Sequence, residues 1–349
     1  MFTLAICRPG GLRREARTLA TILLLEAALV CSRSAEPSSS PPAAARPTVI
    51  VAVGAPGEES FGHSFSQWAG LWEKAAQQGG AHAVLLGLKT NDAVPPKQQL
   101  QQALAEEPKG GGELWLVLIG HGTFDGKEAK FNLRGEDVSS TELASWLQPI
   151  TRPLAIIDTS SASAPFLARL AGTNRVIVTA TRSGSEVNFA RFGQYFSEAI
   201  ADPEADLDKD GQTSLLEAFL MASRRVKEFY EREGRLVTEH PLLDDNNDGL
   251  GTPPDWFRGI RAVKKAKDGA RLDGLRAHQF HLVRSEGELK LTPEVRARRD
   301  ELEMSIARLR ESKPDLAEDD YYAKLEVLLL ELARLYEGPP SPRPLLPLN

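Results

Sequence analysis

Five short apolar runs dominate the first two-thirds of the chain: "TVIVAVG" (Thr48–Gly54), "HAVLLGL" (His82–Leu88), "LWLVLIG" (Leu114–Gly120), "PLAIIDT" (Pro153–Thr159) and "RVIVTAT" (Arg175–Thr181). Most are apolar at nearly every position rather than at alternate ones. Such strands must be buried on both faces, which implies a mostly parallel sheet covered by helices on both sides. The stretches between them carry helical periodicity. Ser64–Gln78 sets Phe65, Trp68, Leu71, Trp72 and Ala75 on one face. Pro96–Glu107 opens with a proline, and Ser140 or Thr141 caps a helix that runs to Leu147. "KFNLRGEDVS" (Lys130–Ser139) reads as a small hairpin or loop, and short helices follow the fourth and fifth strands. In a sheet of this type, ligands and chemistry gather at the carboxyl ends of the strands.

The N-terminal segment reads differently. Arg13, Arg14 and Arg17 precede the apolar run Leu19–Val30, too short to span a bilayer, so residues 1–35 read as a signal peptide despite Glu26. An exported protein, periplasmic or secreted, is the expectation. Residues 36–47 are rich in Ser, Pro and Ala and read as a disordered linker. The two cysteines, Cys7 and Cys31, both fall in this leader, so the mature chain is expected to lack disulfides. Cys31 as a lipid anchor is disfavoured by the bulk of Val30 before it. A net charge of −6 argues against a general nucleic-acid binder, and no later run is apolar enough for a membrane span.

The strand ends hold the candidate chemistry. His121 and Gly122 follow the third strand; Asp158, Thr159, Ser160 and Ser161 end the fourth; "TATRSGSE" (Thr179–Glu186) ends the fifth. A histidine between a buried strand and a glycine suits a general base beside an open amide; the bland alternative is a satisfied histidine in a tight turn. Arg182 is placed either to meet an acidic group or to form a surface ion pair. In order and placement these segments resemble the caspase-like cysteine peptidases, and among them the bacterial legumain-like group (peptidase C13). The resemblance covers residues 48–265 and implies a caspase-like sandwich. It implies His121 as the base, Gly122 as an oxyanion-binding amide, and Arg182 and Ser183 as pocket residues. It also puts Ser160 where the family has its catalytic cysteine.

That departure decides the functional expectation. A thiol beside a histidine ionises readily, whereas a serine hydroxyl needs an imidazole held by a third group. Asp125 and Asp158 are near in sequence, but neither can be placed as that group from sequence. The leading expectation is a silenced pseudopeptidase that binds a peptide or protein. The alternative is an active endopeptidase or acyl hydrolase using His121 and Ser160, with Ser161 as substitute nucleophile and the Gly122 and Ser160 amides binding the oxyanion. A calcium-stabilised structural protein is a third possibility.

Two acidic loops follow. "DLDKDGQTSLLE" (Asp206–Glu217) matches a calcium-loop pattern. Asp206, Asp208 and Asp210 alternate, Gly211 turns, Gln212 offers its carbonyl, Ser214 holds the water-mediated position and Glu217 closes the site. Thr213 replaces the usual aliphatic residue at position eight. "DDNNDGLGTPPD" is looser: Asp244, Asn246 and Asp248 alternate and Asp255 is twelfth, but two prolines preclude a helical exit. Bound Ca2+ is expected in a structural role. His240, His278 and His281 have no partners at metal-ligand spacing and read as structural. Residues 266–292, including "HQFHLVRSEGELKLT", read as a connecting β-hairpin. Residues 293–337 read as an antiparallel helical hairpin, with Leu302, Ile306 and Leu309 facing Leu325, Leu328, Leu332 and Leu335; it is a packing or partner-binding element. A Pro-rich tail, 338–349, ends the chain.

Overall fold

The computed structural model describes residues 46–89, 93–107, 111–266 and 270–337. The expected signal peptide, nearly all of the expected linker and the Pro-rich tail lie outside the described residues. In chain order the elements are β1 (Thr48–Val53), α1 (Glu59–Gln78), β2 (His82–Leu86), α2 (Pro96–Glu106), β3 (Leu114–Ile119), β4 (Gly122–Phe124), β5 (Ala129–Phe131), β6 (Val138–Ser139), α3 (Ser140–Leu147), β7 (Leu154–Asp158), α4 (Ala164–Leu170) and β8 (Arg175–Thr179). Then come α5 (Phe192–Ala199), α6 (Leu215–Arg232), β9 (Leu242–Asp244), β10 (Phe257–Arg258), β11 (Arg261–Ala262), α7 (Leu275–Gln279), α8 (Glu286–Lys290), α9 (Pro293–Glu311) and α10 (Glu318–Glu337).

The architecture is mixed α/β, with a mostly parallel central sheet flanked by helices. Strand order is β2-β1-β3-β7-β8-β9; the first five are parallel and β9 pairs antiparallel with β8. Each apolar run divides its side chains between two cores, as the two-residue strand period requires. Val49, Val51, Trp115, Val117, Ile157 and Val178 pack with α1, α5 and α6. Ile50, Leu116, Leu118, Leu154, Ile156 and Ile177 pack with α2, α3 and α4. Both faces are buried, so no polar alternation is seen in the strands. Strands β4, β5 and β6 form a small antiparallel sheet leading from the end of β3 to α3. Ser139, rather than Ser140 or Thr141, caps α3 in a reciprocal box with Glu142. The C-terminal segment is the expected helical hairpin, with α10 packed on α9.

One segment differs from expectation. The described part of 266–292 holds two short helices, α7 and α8, and no strand. Asp245 accepts from the amides of Gly274 and Ala277 at 3.0 and 2.8 Å and so nucleates α7. Ser285 caps α8 through the Glu288 amide. The alternation of Phe280 and Leu282 mimics a strand, but both simply anchor this segment in the core beside Trp115. Among the described residues no helix is long and apolar enough to cross a membrane.

Candidate functional site

The three strand ends singled out from sequence meet at the carboxyl edge of the sheet. β3 pairs with β7 up to Leu118–Asp158, and β7 with β8 up to Asp158–Thr179, so the turns that follow are neighbours. The turn after β7 folds inward. Asp158 is fully buried, and its Oδ1 accepts both the Ser160 hydroxyl (2.6 Å) and the Ser160 amide (3.0 Å). Its Oδ2 has no hydrogen-bond partner. Burial pushes the Asp158 carboxyl up to about 7, against the pull of the two Ser160 bonds. Ser160 itself is 0% exposed. The other hydroxyls of the turn bond backbone. Thr159 donates to Leu118 O (2.8 Å), and Ser163 Oγ accepts the amides of Ala180 and Thr181 (3.1 and 3.2 Å).

Gly122 is occupied on both sides. Its amide donates to Ser161 Oγ at 3.1 Å, and its carbonyl accepts from that hydroxyl at 3.2 Å. The expected oxyanion donors, the amides of Gly122 and Ser160, are therefore both committed to side chains of the turn. A Cβ at position 122 would lie 2.3 Å from Ser161 O and 2.9 Å from Ser160 Oγ. Glycine stands there because the turn packs on it.

His121 Nε2 donates to Pro56 O at 3.2 Å; a carbonyl only accepts, so this nitrogen carries the proton. The ring sits among Phe61, Phe65 and Phe189, with centroids 5.1, 5.3 and 6.0 Å away. The structure brings His121 and the serines to one edge of the sheet but hydrogen-bonds His121 to neither Ser160 nor Ser161. A buried acid with a raised pKa beside a serine resembles a base and its nucleophile. Here the hydroxyl is sealed from solvent, and no open amide stands beside it to receive an oxyanion. Asp125 caps the turn from β4 to β5 through the Lys127 and Glu128 amides.

Arg182 is exposed and forms the surface ion pair that sequence offered as the bland alternative, with Glu186 four residues on. Its Nε lies 3.3 Å from Glu186 Oε1, and its amide donates to Glu186 Oε2 at 3.0 Å. The same carboxylate accepts from His240 Nδ1 (2.6 Å) and the His240 amide (3.2 Å). The Glu186 carbonyl also accepts from Ala162 (2.8 Å), which holds a left-handed φ of 54° in the β7 turn. Glu186 and His240 were not singled out as a pair, because 54 residues separate them and only the fold brings them together. Beside them lies a cavity of about 660 Å³ lined by Arg182, Val237, His240, Leu242, Asp255 and Trp256, among others. Ser183, expected in the pocket, hydrogen-bonds Ser185 at 2.7 Å instead.

The acidic loops share one conformation through their first six positions. In the first, Asp206 takes the amides of Lys209 and Gly211, and both residues have positive φ. In the second, Asp244 takes the amides of Asn247 and Gly249, again with positive φ. Only the first gathers carboxylates: Asp206, Asp208 and Asp210 each place one oxygen within 4.8 Å of the others. Burial, then the neighbouring Glu217 charge, raises the Asp208 pKa. Glu217 stays at the loop, its Oε1 accepting from the Asp208 amide at 3.3 Å, and caps α6 as well. It is buried, and its oxygens accept from Leu207 (2.7 Å) and from the Ser214 amide and hydroxyl (2.8 and 2.7 Å), as the capping box of α6. Gln212 Oε1 ties Ser285 to the loop, and His278 Nε2 lies 3.4 Å from Asp208 Oδ2. Asp255 does not close the second loop. A bridge between Leu243 and Thr252 ends that loop first and sends Asp255 to the cavity. Burial pushes Asp244 up to about 6, with repulsion from Asp248 adding to it.

No family model and no curated protein matches the chain. Among solved structures it is similar to the Drosophila initiator caspase Dronc, at 14% identity over 59% of this chain and 81% of that one, with a TM-score of 0.37. It is also similar to caspase-1 from Spodoptera frugiperda, at 10% identity over 58% of this chain and 87% of that one, with a TM-score of 0.39. At these scores the likenesses carry no argument about chemistry, and the site is read from its own geometry.

The Asp158 shift has a measurable consequence. A carboxyl raised from 3.8 to about 7 on folding holds a proton in the folded chain that the unfolded chain has lost. Its contribution is present below about pH 4 and is lost as pH rises through about 7. Asp158→Asn keeps an acceptor for Ser160 and removes the titration. Denaturant melts across this window should show the parent losing on the order of 4 kcal/mol relative to the variant. Parallel pH profiles of the two proteins would remove the buried titration.

Proposed function

We propose that the chain is an exported, catalytically silenced relative of the caspase-like peptidases, and that it binds a peptide or protein segment in the cavity beside the former active site. One observation carries this reading: the nucleophile and the oxyanion donors are committed elsewhere. Ser160 donates to a buried carboxylate and the two candidate oxyanion amides are bonded to the β7 turn, while His121, its Nε2 proton held by Pro56, keeps a basic Nδ1 but hydrogen-bonds to neither serine. The cavity by contrast is open, mostly apolar and polar at a few points, as ligand sites are. Arg182, Lys227, Glu239, His240 and Asp255 supply the charged and titratable points, and Val237, Leu242 and Trp256 supply apolar surface.

Calcium belongs to the same proposal. Asp206, Asp208 and Asp210, with the Gln212 carbonyl, would hold the ion and offset the repulsion among their carboxylates. The ion would stiffen the entry to α6 and its contact with the segment at Ser285.

Two experiments test the reading. Purified protein is incubated with a peptide library, with calcium or chelator, beside Ser160→Ala. No cleavage is expected from either protein. Library members retained by the parent should bind Arg182→Ala about tenfold more weakly, roughly 1.4 kcal/mol. Cleavage by the parent that Ser160→Ala abolishes would overturn the silenced site and restore the His121/Ser160 hydrolase. Separately, millimolar calcium should raise the melting temperature of the parent but not of Asp208→Asn; equal melting temperatures with and without calcium in the parent would dismiss the ion.

A further inference from the structure

Five buried side-chain atoms among the described residues have no hydrogen-bond partner: the indole nitrogens of Trp72 and Trp115, Asp158 Oδ2, His278 Nδ1 and His281 Nε2. A buried polar atom of this kind calls for an explanation, and a bound ion is one. An indole N–H has no lone pair to offer, so the two tryptophans are set aside. The two histidines are neighbours, with ring centroids 6.2 Å apart and planes at 65°. Both lie against the acidic loop that precedes α6. His278 Nε2 is 3.4 Å from Asp208 Oδ2, and the Phe280 carbonyl accepts the Leu215 amide at 2.8 Å, which seats the segment on the exit of the loop. In the sequence the pair has no third ligand close by; the fold supplies the acids.

A carboxylate only accepts, so Asp208 draws the His278 proton to Nε2 and leaves the lone pair on the buried Nδ1. His281 is 6% exposed, and its Nε2 is sealed while its Nδ1 is not. A proton on Nδ1 can be met by water and one on Nε2 by nothing, so the lone pair belongs on Nε2. Two buried lone pairs on adjacent imidazoles, one ring backed by a carboxylate at its other nitrogen, match the way histidines are held for a metal. Of the acids near His281, Asp210 acts on it most strongly, ahead of Glu288 and Glu217. Glu288 is paired with Arg299 and Glu217 caps α6, whereas Asp210 bonds only Gln212. We propose that His278 Nδ1, His281 Nε2 and Asp210 bind a divalent transition metal of the zinc class, with Asp208 orienting His278 from behind. Imidazole suits such ions, whereas calcium takes oxygen ligands, so this site stands apart from the calcium reading of the loop although the two share carboxylates. Two imidazoles on one ion, with bonds of about 2.1 Å, set their centroids roughly 5 to 6.4 Å apart, and the observed 6.2 Å falls within that span. Only the three loop carboxylates are gathered within 4.8 Å of one another, so binding draws the exposed Asp210 toward the imidazoles. The ion then ties the end of α7 to the loop that starts α6.

Calorimetric titration of the purified chain with Zn2+ tests the site, using protein without a histidine tag, freed of metal by chelator and kept in calcium-free buffer. Circular dichroism confirms that each variant is folded. The parent is expected to bind one Zn2+ per chain with a dissociation constant of about 10 μM or below. His278→Gln and His281→Gln are each expected to raise that constant at least tenfold, and His82→Gln, at an exposed position on β2, to leave it within about twofold. X-ray absorption of the zinc-loaded parent counts the imidazole ligands directly, even where a histidine variant does not fold; two are expected. A parent that binds no zinc overturns the proposal, as does a spectrum without imidazole. Binding that both histidine variants retain and Asp206→Asn loses places the ion among the loop carboxylates and overturns the imidazole site.

Discussion

The hydrogen bond from the Ser160 hydroxyl into the buried carboxylate of Asp158 fixes the carboxyl edge of the sheet. Because Oδ1 takes both the amide and the hydroxyl of Ser160, the chain after β7 curls back under itself instead of rising toward solvent. Ser161 is thereby aimed at Gly122, Ser163 at the amides after β8, and Ala162 at Glu186. One buried acid thus organises three strand ends. Desolvation raises its pKa, and an ionised carboxylate at this depth is tolerated only because two donors meet it. A turn built this way is closed around the Ser160 hydroxyl.

The apolar strands were legible because burial on both faces leaves an unbroken hydrophobic run. β1, β2, β3 and β8 start where those runs start and β7 one residue in, and α2, α4, α9 and α10 follow from periodicity and caps. The meeting of His121, Ser160 and Arg182 at one edge was legible from topology, since parallel strands deliver their carboxyl ends to the same side. What could not be read was partner choice. Ser160 bonds an acid two residues back rather than the histidine across the edge, and Glu186 meets a histidine 54 residues away. Such bonds depend on where the fold brings each atom. The segment at 266–292 failed for a local reason: core anchors spaced by two residues imitate a strand, while the cap that makes α7 helical comes from Asp245, far back in the chain.

The acidic loops show how one motif serves two ends. In both, an aspartate at the first position ties down the amides at the fourth and sixth, and a left-handed glycine completes the turn. That backbone bonding needs no ion. The difference lies downstream: Glu217 is drawn into the capping box of α6, while the Leu243–Thr252 bridge diverts Asp255 to the cavity. Where the twelfth residue ends up is set by the element that follows: Glu217, at the start of α6, stays within reach of its loop, and Asp255 does not.

The state of the Ser160 hydroxyl is the central claim, and it is open to direct chemical test. The folded protein is treated with a fluorophosphonate, which phosphorylates an activated serine irrespective of the substrate it prefers, and the peptides are mapped by mass spectrometry. The account predicts no adduct on Ser160 in the folded chain. An adduct on Ser160 that disappears in His121→Ala would contradict it, since it would require the hydroxyl to leave Asp158 and meet the imidazole.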